Sequence, residues 1–311
     1  MATTVTLQNS INFAQTYCGY RQLNPGNGNE PAITAANIIL QTVVGAPFVW
    51  NWNRSSVTFN TVVGTQDYAT AAATFGFIEK ADFKLADVTI TNTALANNVA
   101  TYTAANSYAP GQSVTITGST NGGGVFNVIN QPVVTASATQ FTIAIVNTNV
   151  GSAADTGTSV SKTTEISNII NIVGAGTEFG PPAYIAPQVD DNAGNITFRV
   201  LPAPDQVYTV RVVFQKRIPA LFTSLSGTWA PIPDHYSYVY QNGFITLMLA
   251  YVNDARWMQF SQKFVGSLLG AAEGLSEDQK NVFSRAWYNS ITEQQFTNLR
   301  TQQGVQGLSA Q

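Results

Sequence analysis

Apolar residues along the chain follow two periods, and each switch between them marks a segment. From Leu7 to about Gly19, and again over residues 30–45 in "EPAITAANIILQTVVG", they recur at helical spacing. Pro31 in the first turn and Gly45 as a stop frame the second helix, and "LNPGNGN" is a turn between the two. In "FVWNWNR" the period drops to two: Phe48, Trp50 and Trp52 alternate with Arg54 in phase, as on one face of a strand. "SSVTFNTVVGTQDYAT", "FGFIEKADFKL" and, much later, "NITFRVLPAPDQVYTVRVVFQKRI" continue the strand pattern. Helical spacing returns at Asp234, where Tyr236, Val239, Tyr240, Phe244, Leu247, Met248 and Tyr251 follow the i, i+3, i+4 rule. "ARWMQFSQKF" keeps near that period with Arg256, Trp257, Phe260, Lys263 and Phe264. A last helix opens at Ser276 with Gln279 three residues on, a capping box, and buries Val282, Phe283, Ala286 and Trp287. "TQQGVQGLSAQ" closes the chain as a polar tail.

The middle of the chain differs in composition as well as in period. Residues 88–154, sixty-seven positions, contain no charged side chain. Short Val/Thr/Ile/Phe/Tyr runs near Val99–Thr103, Ser113–Thr117, Val125–Ile129 and Gln140–Val146 are separated by "APGQ", "TNGGG" and "NQP". Strand and turn signals at that spacing indicate a small sandwich or barrel. Residues 87–163 therefore read as an all-β module inserted into a discontinuous domain of residues 1–86 and 164–311, the alternative being two β-domains in series. The expected fold class is α+β: a helical core from both chain ends, a sandwich-like β centre and an inserted all-β domain.

Charged residues make up 10% of the 311, well under half the usual quarter. Either much of the surface lies against partners, or neutral polar groups solvate it. A net charge of −3 leaves no overall basic footprint for nucleic acid. The single Cys18 excludes an internal disulfide framework and a cysteine-built zinc site, and it reads as a small core residue. The first residues lack a signal-peptide pattern and "FITLMLAYV" is too short to span a bilayer, so a soluble protein of a reducing compartment is expected.

Candidate chemistry is sparse. His235, the one histidine, follows Asp234 at a helix start. An aspartate there accepts orphan amides of the first turn, which makes Asp234 an N-cap and His235 a surface or interface residue rather than a general base. No nucleophile signature accompanies the pair. One His, one Cys and scattered acids supply no metal-ligand spacing, and "VDDNAG" at 189–194 reads as a polar turn. "NPGNGN" and "TNGGGV" lack the Lys-Ser/Thr and strand-to-helix context of a phosphate cradle. Neither an enzyme activity nor a cofactor is expected. The aromatic-rich "ARWMQFSQKF" has the composition that interface cores favour, although a core position explains the same residues.

Several stretches together resemble the head-to-tail adaptor (connector) proteins of tailed bacteriophages. They are the Trp-rich "FVWNWNR" with its basic residue, the T-x-x-G-x-x-D-Y hairpin in "TVVGTQDY", the strand pair around "PAPD", and "PIPD" leading into a long helix. The resemblance covers residues 8–86 and 165–298; residues 87–163 depart from the basic adaptor plan and resemble the immunoglobulin-like or β-barrel modules of phage structural proteins. It implies a virion neck protein, a ring usually of twelve copies docked under the portal protein. Tail or nozzle proteins would bind its far side, and double-stranded DNA would pass through without specific binding or membrane contact. On that footing Tyr251, Arg256, Trp257, Phe260 and Phe264 are expected in packing within and between subunits. Phe296, Leu299, Arg300, Val305 and Leu308 in the tail are expected to meet the portal. A tail-tube or decoration subunit is the alternative within that class. A carbohydrate-binding protein using the β-module is the alternative outside it, but with no acid in residues 88–154 the module offers no carboxylate catalysis.

Overall fold

A computed structural model describes residues 3–19, 30–170, 176–191 and 193–306, with the backbone alone for 292–306. The fold is mixed α and β, with five α-helices and several sheets among the described residues. The chain forms two compact units. The first comprises Met1–Ser55, Thr74–Phe77 and Gln215–Gln311; the second comprises Ser56–Ala73 and Ile78–Phe214. This division differs from the sequence boundaries at 87 and 163, because strands flanking the charge-free stretch group with it. Thr164 pairs with Phe83, and the Leu85 amide donates to Ser161 Oγ at 2.8 Å.

The first unit is helical. Helix α1, Leu7–Cys18, starts at Thr6, whose Oγ1 accepts from the Asn9 amide, and stops at Gly19 in a left-handed conformation at φ 73°. Helix α2, Ala32–Val44, has the Glu30 carboxylate on the Thr34 amide and ends at Gly45. Helices α3, Ser237–Tyr251, and α4, Trp257–Ala271, follow, then α5, Glu277–Gln306. The Ser276–Gln279 capping box is present in both directions, at 3.2 and 2.9 Å. The helix runs on to Gln306, so the first residues of the expected polar tail are helical.

These helices share one core. Trp229 stacks on Tyr240 at 4.4 Å while its indole N–H donates to Ser10 Oγ. Trp50, also buried, donates to the Val43 carbonyl, and Phe264 packs on Trp287 at 4.7 Å. Helix α3 buries Gly243 to Thr246 consecutively, together with Val239, Tyr240, Met248 and Leu249. It is thus a central helix covered on most sides, where the sequence spacing implied one apolar stripe. A β-carbon on Gly243 would lie 2.8 Å from both Ile39 Cδ1 and the Phe264 ring, so its absence permits this close packing.

Three expectations fail here. Val282, 69% exposed, and Ala286, also exposed, are not in the buried stripe of α5, which keeps Trp287 buried and Phe283 half-buried. Phe48, Trp50 and Trp52 do not share a strand: residues 51–53 form a 3-10 turn and the strand begins at Arg54. Burial of Trp50 against α2 takes precedence over alternation. Asp234 does not cap its own helix. Its carboxylate is taken by the amides of Thr4 and Val5 and by Thr4 Oγ1 at 2.6 Å, and it tethers the N-terminal segment instead.

In the second unit all eight strands between Val88 and Ser161 fall in one hydrogen-bonded set. Val99–Thr103 and Ser113–Thr117 lie where the sequence placed them, and Gln140–Ala144 ends two residues early. The third expected strand, Val125–Ile129, is displaced to Val128–Ser137 because "TNGGG" forms a 3-10 turn rather than a tight hairpin. "NQP" is not a turn but a bend inside that strand. Its first half pairs with Ser113–Ile116 and its second half with Gln140–Ile143, with Asn130 at φ 51°. One strand thereby serves two sheets, the corner of a sandwich. Tyr102, Phe126 and Phe141 fill the space within, ring centroids 4.9–5.8 Å apart. Tyr108 packs edge-on against Phe141 and bonds Ser159 Oγ at 3.0 Å.

The rest of this unit places Asp67–Ala71 beside Asn195–Leu201, with Arg199 bidentate on Asp67 directly opposite. The expected "VDDNAG" turn is held by Asp191 Oδ1, which accepts from the Ala193 and Asn195 amides.

Candidate functional site

The residues singled out in the α3–α4 region separate into two groups. Trp257 and Phe260 are 6% exposed and Phe264 is fully buried, so all three pack within the chain's own core. Tyr251, by contrast, is 53% exposed at the end of α3.

Arg256 joins the elements. Its Nη1 donates to the Cys18 carbonyl at 2.9 Å, and Nε and Nη2 bond the Asp254 carboxylate. A guanidinium on the last carbonyls of α1 satisfies an orphan acceptor and complements the negative end of the helix dipole. Cys18 beside it is buried, and desolvation raises its thiol above the ordinary value despite the nearby Arg256 charge. That environment fits a core thiol.

An exposed aromatic run lies next to this junction. Phe13 and Tyr17, one turn apart on α1, stack at 5.6 Å and are 43% and 58% exposed. Tyr17 meets Phe260 edge-on at 5.7 Å, and Lys263 Nζ stands 4.9 Å from the Phe260 ring centre and 5.9 Å from that of Tyr17. Phe13 and Tyr17 were missed in the sequence reading. The available signal was two aromatics at i, i+4 in "INFAQTY", off the Leu7, Ile11, Ala14, Cys18 stripe that α1 buries.

The other positions gather no chemistry. His235 is exposed and its ring lies 4.3 Å from that of Tyr236. Among the described residues no three His, Cys, Asp or Glu side chains converge as metal ligands. No described helix is long and apolar enough to cross a membrane. The expected portal-contacting residues Phe296, Leu299, Arg300 and Val305 have no described side chains, and Leu308 lies outside the described residues altogether. No family model matches the chain, and no curated protein is significantly similar to it.

Proposed function

We propose that the chain is a structural, non-catalytic virion protein: a head-to-tail adaptor that forms a ring under the portal and prolongs the DNA channel toward the tail. The exposed Phe13–Tyr17 stack, seated on the buried Phe260 ring with Lys263 beside it, carries this reading. Two adjacent aromatic rings left in water on a helix whose other face is well buried suit contact with a neighbouring subunit. Tyr251 and Met258, 53% and 56% exposed, add apolar area on the same helical unit. Strand pairing supports the remainder: the strands of residues 88–161 bond among themselves, as an inserted all-β domain would. Helices from both chain ends share one core, as the adaptor plan requires.

Mass photometry of the purified protein, alone and mixed with its portal, tests the proposal. A discrete ring-sized complex formed with the portal is the expected result. Open tubes, or a particle indifferent to the portal, would replace it with a tail-tube or decoration role.

A further inference from the structure

The second unit contains a cleft of about 670 Å³ that the adaptor reading leaves unused. Its walls come from two sheets and the chain beside them: Ser113 and Ser161 from the eight-strand set with Lys162 just after it, and Phe83 and Tyr208 from the flanking strands with Asp205 in the turn before Tyr208. The walls are fixed by the bond from the Leu85 amide to Ser161 Oγ and by the one from the Lys162 amide to the Ser113 carbonyl, so the cleft is pre-formed. Phe83, edge-on to Tyr208 at 5.2 Å, and Pro181 supply apolar surface.

The polar groups are of both kinds. The Lys162 ammonium has no hydrogen-bond or ion-pair partner among the described residues, whereas Lys84 is neutralised by Asp87 at 2.6 Å. Asp205 receives the Tyr208 hydroxyl on Oδ1 at 2.7 Å, with no partner described for Oδ2. Lys84 and Asp87 cancel, as do Lys162 and Asp205, so the surroundings select against a strongly charged ligand.

We infer that this cleft binds a neutral saccharide. Sugar hydroxyls both donate and accept, so one ligand can donate to Asp205 while accepting from Lys162, with a C–H face against Phe83 and Pro181. A nonpolar ligand would leave both unpaired, and a polyanion would meet the Asp205 carboxylate. The inference does not depend on ring formation.

Titration calorimetry of the full chain with maltotriose, cellotriose and chitotriose, and with trigalacturonate as an acidic control, tests it. At least one neutral trisaccharide is expected to bind. Lys162→Ala and Asp205→Asn are each expected to weaken that binding roughly ten- to hundredfold, the loss of one charge-assisted hydrogen bond, at unchanged Tm. Absence of binding by all three neutral sugars at millimolar concentration would overturn the assignment. So would binding of trigalacturonate alone, or binding that both variants retain in full.

Discussion

Replacing Asp155 by Ala tests how the charge-free strands are held together. Asp155 is 5% exposed, and its carboxylate collects four donors: Thr93 Oγ1 at 2.9 Å, Ser119 Oγ, and the amides of Thr120 and Thr156 at 3.0 and 2.8 Å. These donors belong to a strand, to the turn before the Gly-rich 3-10 segment, and to the chain after Ala154, so one side chain unites three pieces of backbone. Alanine removes the acceptor and strands the donors. A hydrogen bond to a charged acceptor contributes about 1.5–3 kcal/mol, and a buried donor left unpaired costs about 1–3 kcal/mol, so the loss of the hub is a large part of the roughly 5–15 kcal/mol that a domain has in total. Desolvation pushes the Asp155 carboxyl up, but the four hydrogen bonds outweigh it and the net direction is down. A carboxyl lowered on folding contributes stability that is fully present above its unfolded value, about 3.9, and lost as pH falls through the folded one.

The assay must see this region alone. All five tryptophans lie outside residues 88–154, so indole fluorescence does not report on it. Hydrogen exchange of peptides spanning Val99–Thr103 and Gln140–Ala144 does. Asp155→Ala is expected to lower their opening free energy by about 3 kcal/mol or more at pH 7, and the difference from wild type should shrink below pH 4. A change under about 1 kcal/mol, the value of one ordinary hydrogen bond, would refute the buried-hub reading. So would a difference that persists unchanged into acid.

Three further outcomes follow from named contacts. Gly243→Ala should lower the Tm of the helical unit, because its β-carbon meets Ile39 and Phe264 at 2.8 Å and overpacking costs about 1–3 kcal/mol; an unchanged Tm would show that the core yields there. Asp234→Ala should speed exchange of the Thr4 and Val5 amides. The bonds from Thr4 and Val5 hold the Asp234 carboxyl low, so wild type should approach the variant as pH falls through that lowered value, and equal exchange at neutral pH would deny the tether. Phe13→Ser with Tyr17→Ser should leave the Tm within a few degrees, since both rings are already half in water, yet abolish ring formation measured by mass photometry. Rings of normal size from this variant would remove the main support for the proposed interface.

Local chemistry was legible in the sequence wherever it decided the outcome. Gly19 and Gly45 end helices, and Ser276 with Gln279 caps one, because those signals act within a few residues. Strands at Val99–Thr103 and Ser113–Thr117 follow from alternation against a single buried face. Failures occurred where distant residues compete. The Asp234 carboxylate met the amides of Thr4 and Val5, some 230 positions away, before those of its own helix. Trp50 left the strand register to bury its ring and bond Val43. Trp257, Phe260 and Phe264 had the composition of an interface as well as of a core, and three-dimensional burial alone separates them from Tyr17, which sits on their rim.

The shortage of charge admitted two explanations, and the outer face of the strand set bears on them. Thr101 pairs with Thr142, which pairs with Thr135, and the last two share a hydroxyl–hydroxyl bond of 2.7 Å. Asn92 pairs with Thr103, Thr103 with Gln140, and Gln140 with Ser137 in the next row. Such rows hydrate through neutral hydroxyls and amides and bond laterally to one another, so they need neither charges nor a covering partner. Low charge between residues 88 and 154 is therefore poor support for an interface. Apolar side chains left in water are a better sign. On the helical unit Phe13 and Tyr17 are adjacent, stacked and joined to Phe260, whereas Ile129 and Val146 among the strands have no such aromatic continuation described. The interface that the proposed adaptor role requires should accordingly be sought first on helices α1 and α4.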